Sequence, residues 1–369
     1  MYRLIFILLS IIVFSACRSD KQKDDFSFSG IKIARYDRLQ YEATVQNSFF
    51  SLQRMNTEFS QETRLLIEEV LDLGSVDMVD MNDRLCAYFS DSILVHLMED
   101  AGEKFKDVSS LEQRLTQGFS NLKKEIHELR VPQIYTQISV LNQSVVVGDS
   151  ILGISLDKYM GSDYPLYQKY YYANQRRSMS PEYIVPDCFT FYLLGQYPFL
   201  WQEGHRSLMD ILLYRGKIAW TVETILEGNG SGKTALGYSK EEIKWCEQHE
   251  KELWEEIRQN HYMETTDPMI IRSYVSSNTR LLFNGEKTPP FLGIWLGMKV
   301  IERYMKNHPE MTLKSLLECT DYSEMIKELN RLSDAYFCQG RILSALSASE
   351  EAETPDVKAK YWVGEASQR

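Results

Sequence analysis

The sequence predicts a mainly α domain carrying a small β-sheet, an α+β chain. Two observations carry this. Apolar residues recur at three- and four-residue steps from Val45 to Leu129 and again from Leu208 to Met305, the period of helices with one buried face. Between Val131 and Leu156 the period drops to two, as in half-buried strands. Beyond the N-terminus no apolar run reaches the roughly 20 residues that span a bilayer.

The chain opens on Met1-Tyr2-Arg3, a short positive stretch, and continues into eleven apolar residues, Leu4 to Phe14. That run is too short to cross a membrane and suits the apolar core of a signal peptide. It ends at Phe14-Ser15-Ala16-Cys17. Small residues before a cysteine resemble the lipobox of bacterial lipoproteins, with Phe14 in place of the usual Leu. The resemblance implies cleavage before Cys17 and acylation of its thiol, so the lipid bilayer is the first expected partner. Arg18, not Asp, follows the cysteine. By resemblance to lipoprotein sorting this implies the outer membrane, with the periplasmic face expected over the cell surface. Lys23-Asp24-Asp25 resembles an acidic surface-export signal, and a solvated tether explains it equally well. The expected organisation is a signal peptide at 1–16, a lipidated tether at 17–30, a single α+β domain at 31–340 and a loosely held tail at 341–369.

Removing residues 1–16 leaves 353 residues, enough for a sizeable core. The net charge is −11, and −12 once Arg3 is lost. This balance argues against nucleic acid or anionic lipid as partner. Six cysteines, Cys17, Cys86, Cys188, Cys246, Cys319 and Cys338, are widely spaced without a C-x-x-C. At this size they read mostly as buried thiols and not as a disulfide scaffold.

Within the body, Ile31 to Arg35 alternates and predicts a short strand. Leu111, Leu115, Phe119, Leu122, Ile126 and Leu129 share one helical face, and Ser110 with Gln113 spells a capping box for that helix. Ile134, Ile138 and Val140 fall on one side of an extended segment. Ser144 to Val147 and Ile151 to Leu156 predict further strands, joined by a tight turn at Gly148-Asp149. Leu208 to Leu226 predicts a helix. Ser239 and Glu242 cap the next, with Ile243, Cys246, Leu253 and Ile257 inward. Phe291 to Met305 predicts a third, and Thr312 to Leu329 one or two shorter ones.

Several motifs invite chemistry. Gly228 to Thr234 reads GNGSGKT, but Glu227 stands where a P-loop needs its first glycine and the segment follows a helix, so no nucleotide is expected. His249-Glu250-Lys251-Glu252-Leu253 begins like H-E-x-x-H, yet Leu253 holds the place of the second histidine. No two of the six histidines lie within five residues, so no zinc pair of local spacing exists. There is no G-x-S-x-G. Six tyrosines crowd Tyr159 to Tyr172, which suits packing between layers, an interface or a glycan groove.

Leu156-Asp157-Lys158-Tyr159-Met160-Gly161-Ser162-Asp163-Tyr164-Pro165 resembles a segment of GldB, the gliding-motility lipoprotein family of Bacteroidetes. Leu208 to Lys217, with Asp210, Tyr214 and Gly216-Lys217, is similar to a later segment of it. Gly237-Tyr238-Ser239 and Gly293-Ile294-Trp295-Leu296-Gly297 follow in family order, over roughly Ile31 to Tyr336. This resemblance implies a zincin-like helical domain. The Asp187 to Leu200 stretch stands where a metal-binding helix belongs, and it has no histidine; Arg215-Gly216 replaces an expected Glu-Gly. No catalytic residue, metal or cofactor is therefore expected. The implied function is a non-catalytic scaffold or binding protein of the envelope, serving assembly, gliding or secretion, with envelope proteins as partners. A peptidase-like hydrolase and a surface glycan-binding protein are the alternatives. The residues expected to line a cleft are Asp157, Lys158, Tyr159, Asp163, Tyr164, Asp210, Tyr214 and Lys217.

Overall fold

The computed structural model describes residues 30–199, 207–226, 228, 230–277, 281–282 and 286–329. The expectations on Cys17, the signal peptide, the tether up to residue 29, Leu200, Cys338 and the 341–369 tail lie outside the described residues. From Ile31 onward the described chain forms one compact unit.

The fold is mainly α with one small mixed sheet. Strands β1 (Ile33–Ala34), β2 (Gln133–Gln137), β3 (Val145–Val147) and β4 (Ile151–Ser155) lie in the order β1-β2-β4-β3. β1 runs parallel to β2 and β2 to β4, whereas β3 is antiparallel to β4. Parallel neighbours need a long crossover, and six helices supply it between β1 and β2. They are α1 (Tyr36–Thr44), α2 (Phe49–Thr57), α3 (Ser60–Arg64, running into a π-helical turn at Leu65–Val70), α4 (Met81–Tyr88), α5 (Ser92–Lys104) and α6 (Ser109–Glu125). After the sheet come α7 (Pro165–Tyr170), α8 (Ala173–Arg176), α9 (Ile184–Gln196), α10 (Leu208–Ile225), α11 (Lys240–Gln259) and α12 (Pro268–Val275). A two-stranded ribbon of Leu281–Leu282 and Glu286–Lys287 precedes α13 (Leu292–Asn307) and α14 (Leu313–Glu318). Residues 323–329 are helical.

Two local expectations need correction. Ser110 and Gln113 form no capping box: the helix begins one residue earlier, at Ser109, and Asp107 accepts the Ser109 amide at 2.8 Å. The carboxylate upstream meets the free amide of the first turn, which leaves Ser110 inside the helix. Val140 is not on a strand. β2 ends at Gln137, and Val140 and Leu141 adopt left-handed backbone with φ of 55° and 64°. A β-branched residue there is strained, and the turn is held by the buried carboxylate of Asp157, which accepts the amides of Ser139 at 2.9 Å and Leu141 at 2.6 Å.

Other features match the sequence pattern. Ser239 and Glu242 cap α11 reciprocally, and Cys246, Leu253 and Ile257 are buried along it, with Ile243 half-buried. Cys188 and Cys246 are buried thiols; Cys86 and Cys319 are partly exposed; none of these four is in a disulfide. Among the described residues no helix is long and apolar enough to cross a membrane.

The tightest packing joins α10 to α13. A Cβ placed on Gly216 would overlap the backbone of Gly297, and one on Gly297 would overlap the carbonyl of Leu212. A Cβ on Gly293 would instead meet the side chains of Leu212 and Tyr274. The two helices therefore touch backbone to backbone, which only glycine permits. This contact fixes where the next residue on α10, Lys217, points.

Candidate functional site

Asp210, Tyr214 and Lys217 stand at i, i+4 and i+7 on α10, so they share one helical face. That face meets the Gln196–Phe199 turn after α9 and the C-terminal end of α14. Together they enclose a cavity of about 440 Å³, within the range of small-molecule sites.

Lys217 forms its floor and is almost wholly buried. Its Nζ donates to the carbonyls of Leu317 at 2.8 Å and Cys319 at 2.6 Å. These carbonyls close α14, where the helix leaves acceptors unpaired and favours a cation. The ammonium also lies 5.6 Å from the centre of the Tyr214 ring and 5.4 Å from that of Tyr322. Burial lowers its pKa to about 8.

Tyr214 donates to the Tyr197 carbonyl at 3.0 Å, and its ring packs at 4.9 Å against Phe199. Asp210 closes a capping box: its Oδ2 accepts the amide and hydroxyl of Ser207, and Ser207 Oγ accepts the Asp210 amide. Its other oxygen, Oδ1, makes no hydrogen bond among the described residues. The Tyr322 hydroxyl makes none either, although the residue is only 4% exposed. Burial raises the Tyr322 phenol above its ordinary value, and the Asp210 charge adds to that.

The other five predicted residues lie elsewhere, around the turn after β4. Asp157 is fully buried and pins the Ser139–Leu141 turn, and burial raises its pKa. Tyr159 is buried too and donates to Asp187 at 2.8 Å. Burial pushes the Asp187 carboxyl up to about 7, against the lowering by that hydrogen bond. Lys158 donates to the Leu141 carbonyl and the Tyr171 hydroxyl. Tyr164 donates to Asp100, and Asp163 is exposed. The tyrosine-rich stretch is split: Tyr159 and Tyr167 are buried, Tyr164 and Tyr171 are half-buried, and Tyr170 and Tyr172 face solvent.

Sequence reading missed Tyr197, Phe199, Ser207 and Tyr322. Ser207 had a signal, since Ser-x-x-Asp before an apolar run spells a capping box. The three aromatics had none, because they reach the cavity from two stretches, 197–199 and 322, that lie far apart in the chain.

The glycine-rich 228–234 segment encloses a carboxylate of its own chain. Glu223, 1% exposed, accepts the amides of Thr234 and Ala235 at 2.8 Å each and of Gly230 at 3.2 Å. Gly230 and Gly232 supply the positive φ that such an anion-binding nest needs. The described residues of this loop are thereby tied to the end of α10. His249 stacks on Trp245 at 4.2 Å and bonds its carbonyl, while Glu250 pairs with Arg303.

The described residues of α9 do not fit a metal. The α9 residues are Ile-Val-Pro-Asp-Cys-Phe-Thr-Phe-Tyr-Leu-Leu-Gly-Gln, with Asp187 and Cys188 as the ligand types present. Asp187 is committed to Tyr159. Among the described residues no group of three or more His, Cys, Asp or Glu is placed to hold a metal ion.

A family model described as gliding motility protein GldB matches residues 18–330. No curated protein and no solved structure matches the chain.

Proposed function

The chain belongs to the GldB gliding-motility family, and from that premise we propose that it is a membrane-anchored envelope lipoprotein that binds other envelope components without catalysing a reaction. Lipid on Cys17 holds it at the outer membrane. Two or more acyl chains give stable attachment, at about 0.8 kcal/mol per buried methylene. Arg18 to Gly30 is thirteen residues and reaches at most about 45 Å when extended, so the body works close to that membrane, on its periplasmic face. Its partners are proteins of the gliding or secretion machinery. The order of the sheet followed by α9 and α10 supports the zincin-like outline, with the metal-binding helix reduced to a structural one.

The observation that carries the binding reading is the Lys217 cavity. Its aromatic walls are firmly packed, yet among the described residues Asp210 Oδ1 and the Tyr322 hydroxyl have no hydrogen-bond partner. Unpaired polar groups beside an open cavity are what a binding site leaves for its ligand. The test is mild cross-linking in the membrane followed by purification of the full-length chain. Recovery of the same envelope proteins in repeated experiments is the expected result; recovery of none sinks the binding role.

A further inference from the structure

We propose that the Lys217 cavity binds a sugar ring of a neutral glycan, an inference that rests on the binding reading above and names its ligand. Three properties of the cavity select this chemistry. First, its walls are aromatic: Tyr197, Phe199, Tyr214 and Tyr322. These offer flat apolar surface with polar tips, which suits the C–H face of a pyranose.

Second, the polar groups that have no partner among the described residues are of both kinds. Asp210 Oδ1 accepts only, and the Tyr322 hydroxyl both donates and accepts. Lys217 has a third ammonium proton beyond the two given to Leu317 and Cys319. A sugar hydroxyl is donor and acceptor at once, so one ring with several hydroxyls satisfies all three. A purely apolar ligand would bury them unpaired, at about 1–3 kcal/mol each.

Third, the charges oppose an anionic ligand: Asp210, Glu318 and Asp321 line the cavity against the single Lys217 ammonium, so a cation is the competing ligand that the test must separate from a sugar. A second cavity of about 590 Å³ shares Gln196, Tyr197 and Glu318 with the first and runs past Arg130 to Asp149 at the β3–β4 turn. The groove thus has room for further units of an oligosaccharide.

The experiment is titration calorimetry of the purified full-length chain in detergent with neutral trisaccharides of glucose, mannose and N-acetylglucosamine, and with trilysine as the cationic probe. Binding of at least one trisaccharide is expected. Tyr322→Phe keeps the ring and removes the hydroxyl, and should weaken that binding roughly fivefold, the worth of one hydrogen bond, with thermal stability retained. Asp210→Asn, which still accepts from Ser207, should weaken it likewise. Binding of trilysine in place of the sugars overturns the proposal, as does trisaccharide binding that both variants leave unchanged. If no sugar binds while cross-linked envelope proteins are still recovered, the ligand class is wrong and the binding role stands; if neither is seen, both fail.

Discussion

Gly216 on α10 and Gly297 on α13 lie back to back, so close that a methyl group on either would occupy the other helix's backbone. Because backbone, unlike a flexible side-chain tip, cannot swing away, the contact has a sharp consequence. Gly216→Ala should destabilise the protein by about 3 kcal/mol or more, at the upper end of overpacking costs. Gly102, inside α5 with nothing within 4 Å of its would-be Cβ, is the control. Gly102→Ala should stabilise by about 0.5–1 kcal/mol, the ordinary helix preference for alanine. Denaturant titration of both variants checks the pair, and a neutral Gly216→Ala would refute the close crossing.

The Asp187 carboxyl, raised from 3.8 to about 7 by burial, favours its neutral form in the folded protein. Its contribution to stability is complete below about pH 4 and is lost as the pH rises through 7. Asp187→Asn keeps an acceptor for Tyr159 and cannot ionise. The variant should lack this part of the decline, so the wild-type minus variant stability should fall between pH 4 and 7. A difference that stays flat over that window removes the buried acid from the account.

Lys217 works in the opposite sense. Its pKa is lowered from 10.5 to about 8, so its neutral form is favoured by the fold. Stability from this site is present above pH 10.5 and lost as the pH falls through 8. Lys217→Met leaves the Leu317 and Cys319 carbonyls without their donor and should cost about 1–3 kcal/mol. That cost should grow between pH 8 and 10.5, which unfolding curves at several pH values would reveal.

Glu223 holds three amides of the glycine-rich loop. Glu223→Gln turns an acceptor into an N–H donor that faces other donors. A loss of about 1–3 kcal/mol is expected, together with faster hydrogen exchange at Gly230, Thr234 and Ala235. Unchanged protection at those amides would show that the carboxylate does not order the loop.

Cys17→Ser removes the thiol that acylation requires. In cells fed labelled palmitate, the native chain should carry label and the variant none, and the variant should leave the membrane fraction. Label that persists on Cys17→Ser would place the lipid elsewhere.

Much of the fold is legible in the residues alone. Leu111, Leu115, Phe119 and Leu122 predict the buried face of α6, although the helix ends at Glu125 and leaves Ile126 and Leu129 beyond it; Leu208 to Leu226 predicts α10 nearly to its ends, and Ser239 with Glu242 marks the start of α11. These signals are local: a helical face or a capping box depends on neighbours three or four positions away, and those are written side by side. The Ser110–Gln113 box does not form because the helix already starts at Ser109, whose amide Asp107 accepts, so Ser110 lies inside the first turn.

The candidate site divides along the same line. By itself the sequence determined that Asp210, Tyr214 and Lys217 share a helical face, that an odd glycine-rich loop follows the helix, and that Asp157 and Asp210 are both acids in distinctive segments. Only the tertiary structure decided their fates. Asp157 is sealed under the amides of Ser139 and Leu141, while Asp210 keeps an oxygen open to a cavity built by Tyr197 and Tyr322. The physical reason is that burial and desolvation come from residues far away in the chain. Lys217 reaches carbonyls 100 and 102 positions away, and it can do so because Gly216 and Gly297, 81 positions apart by their numbers, let two helix backbones touch.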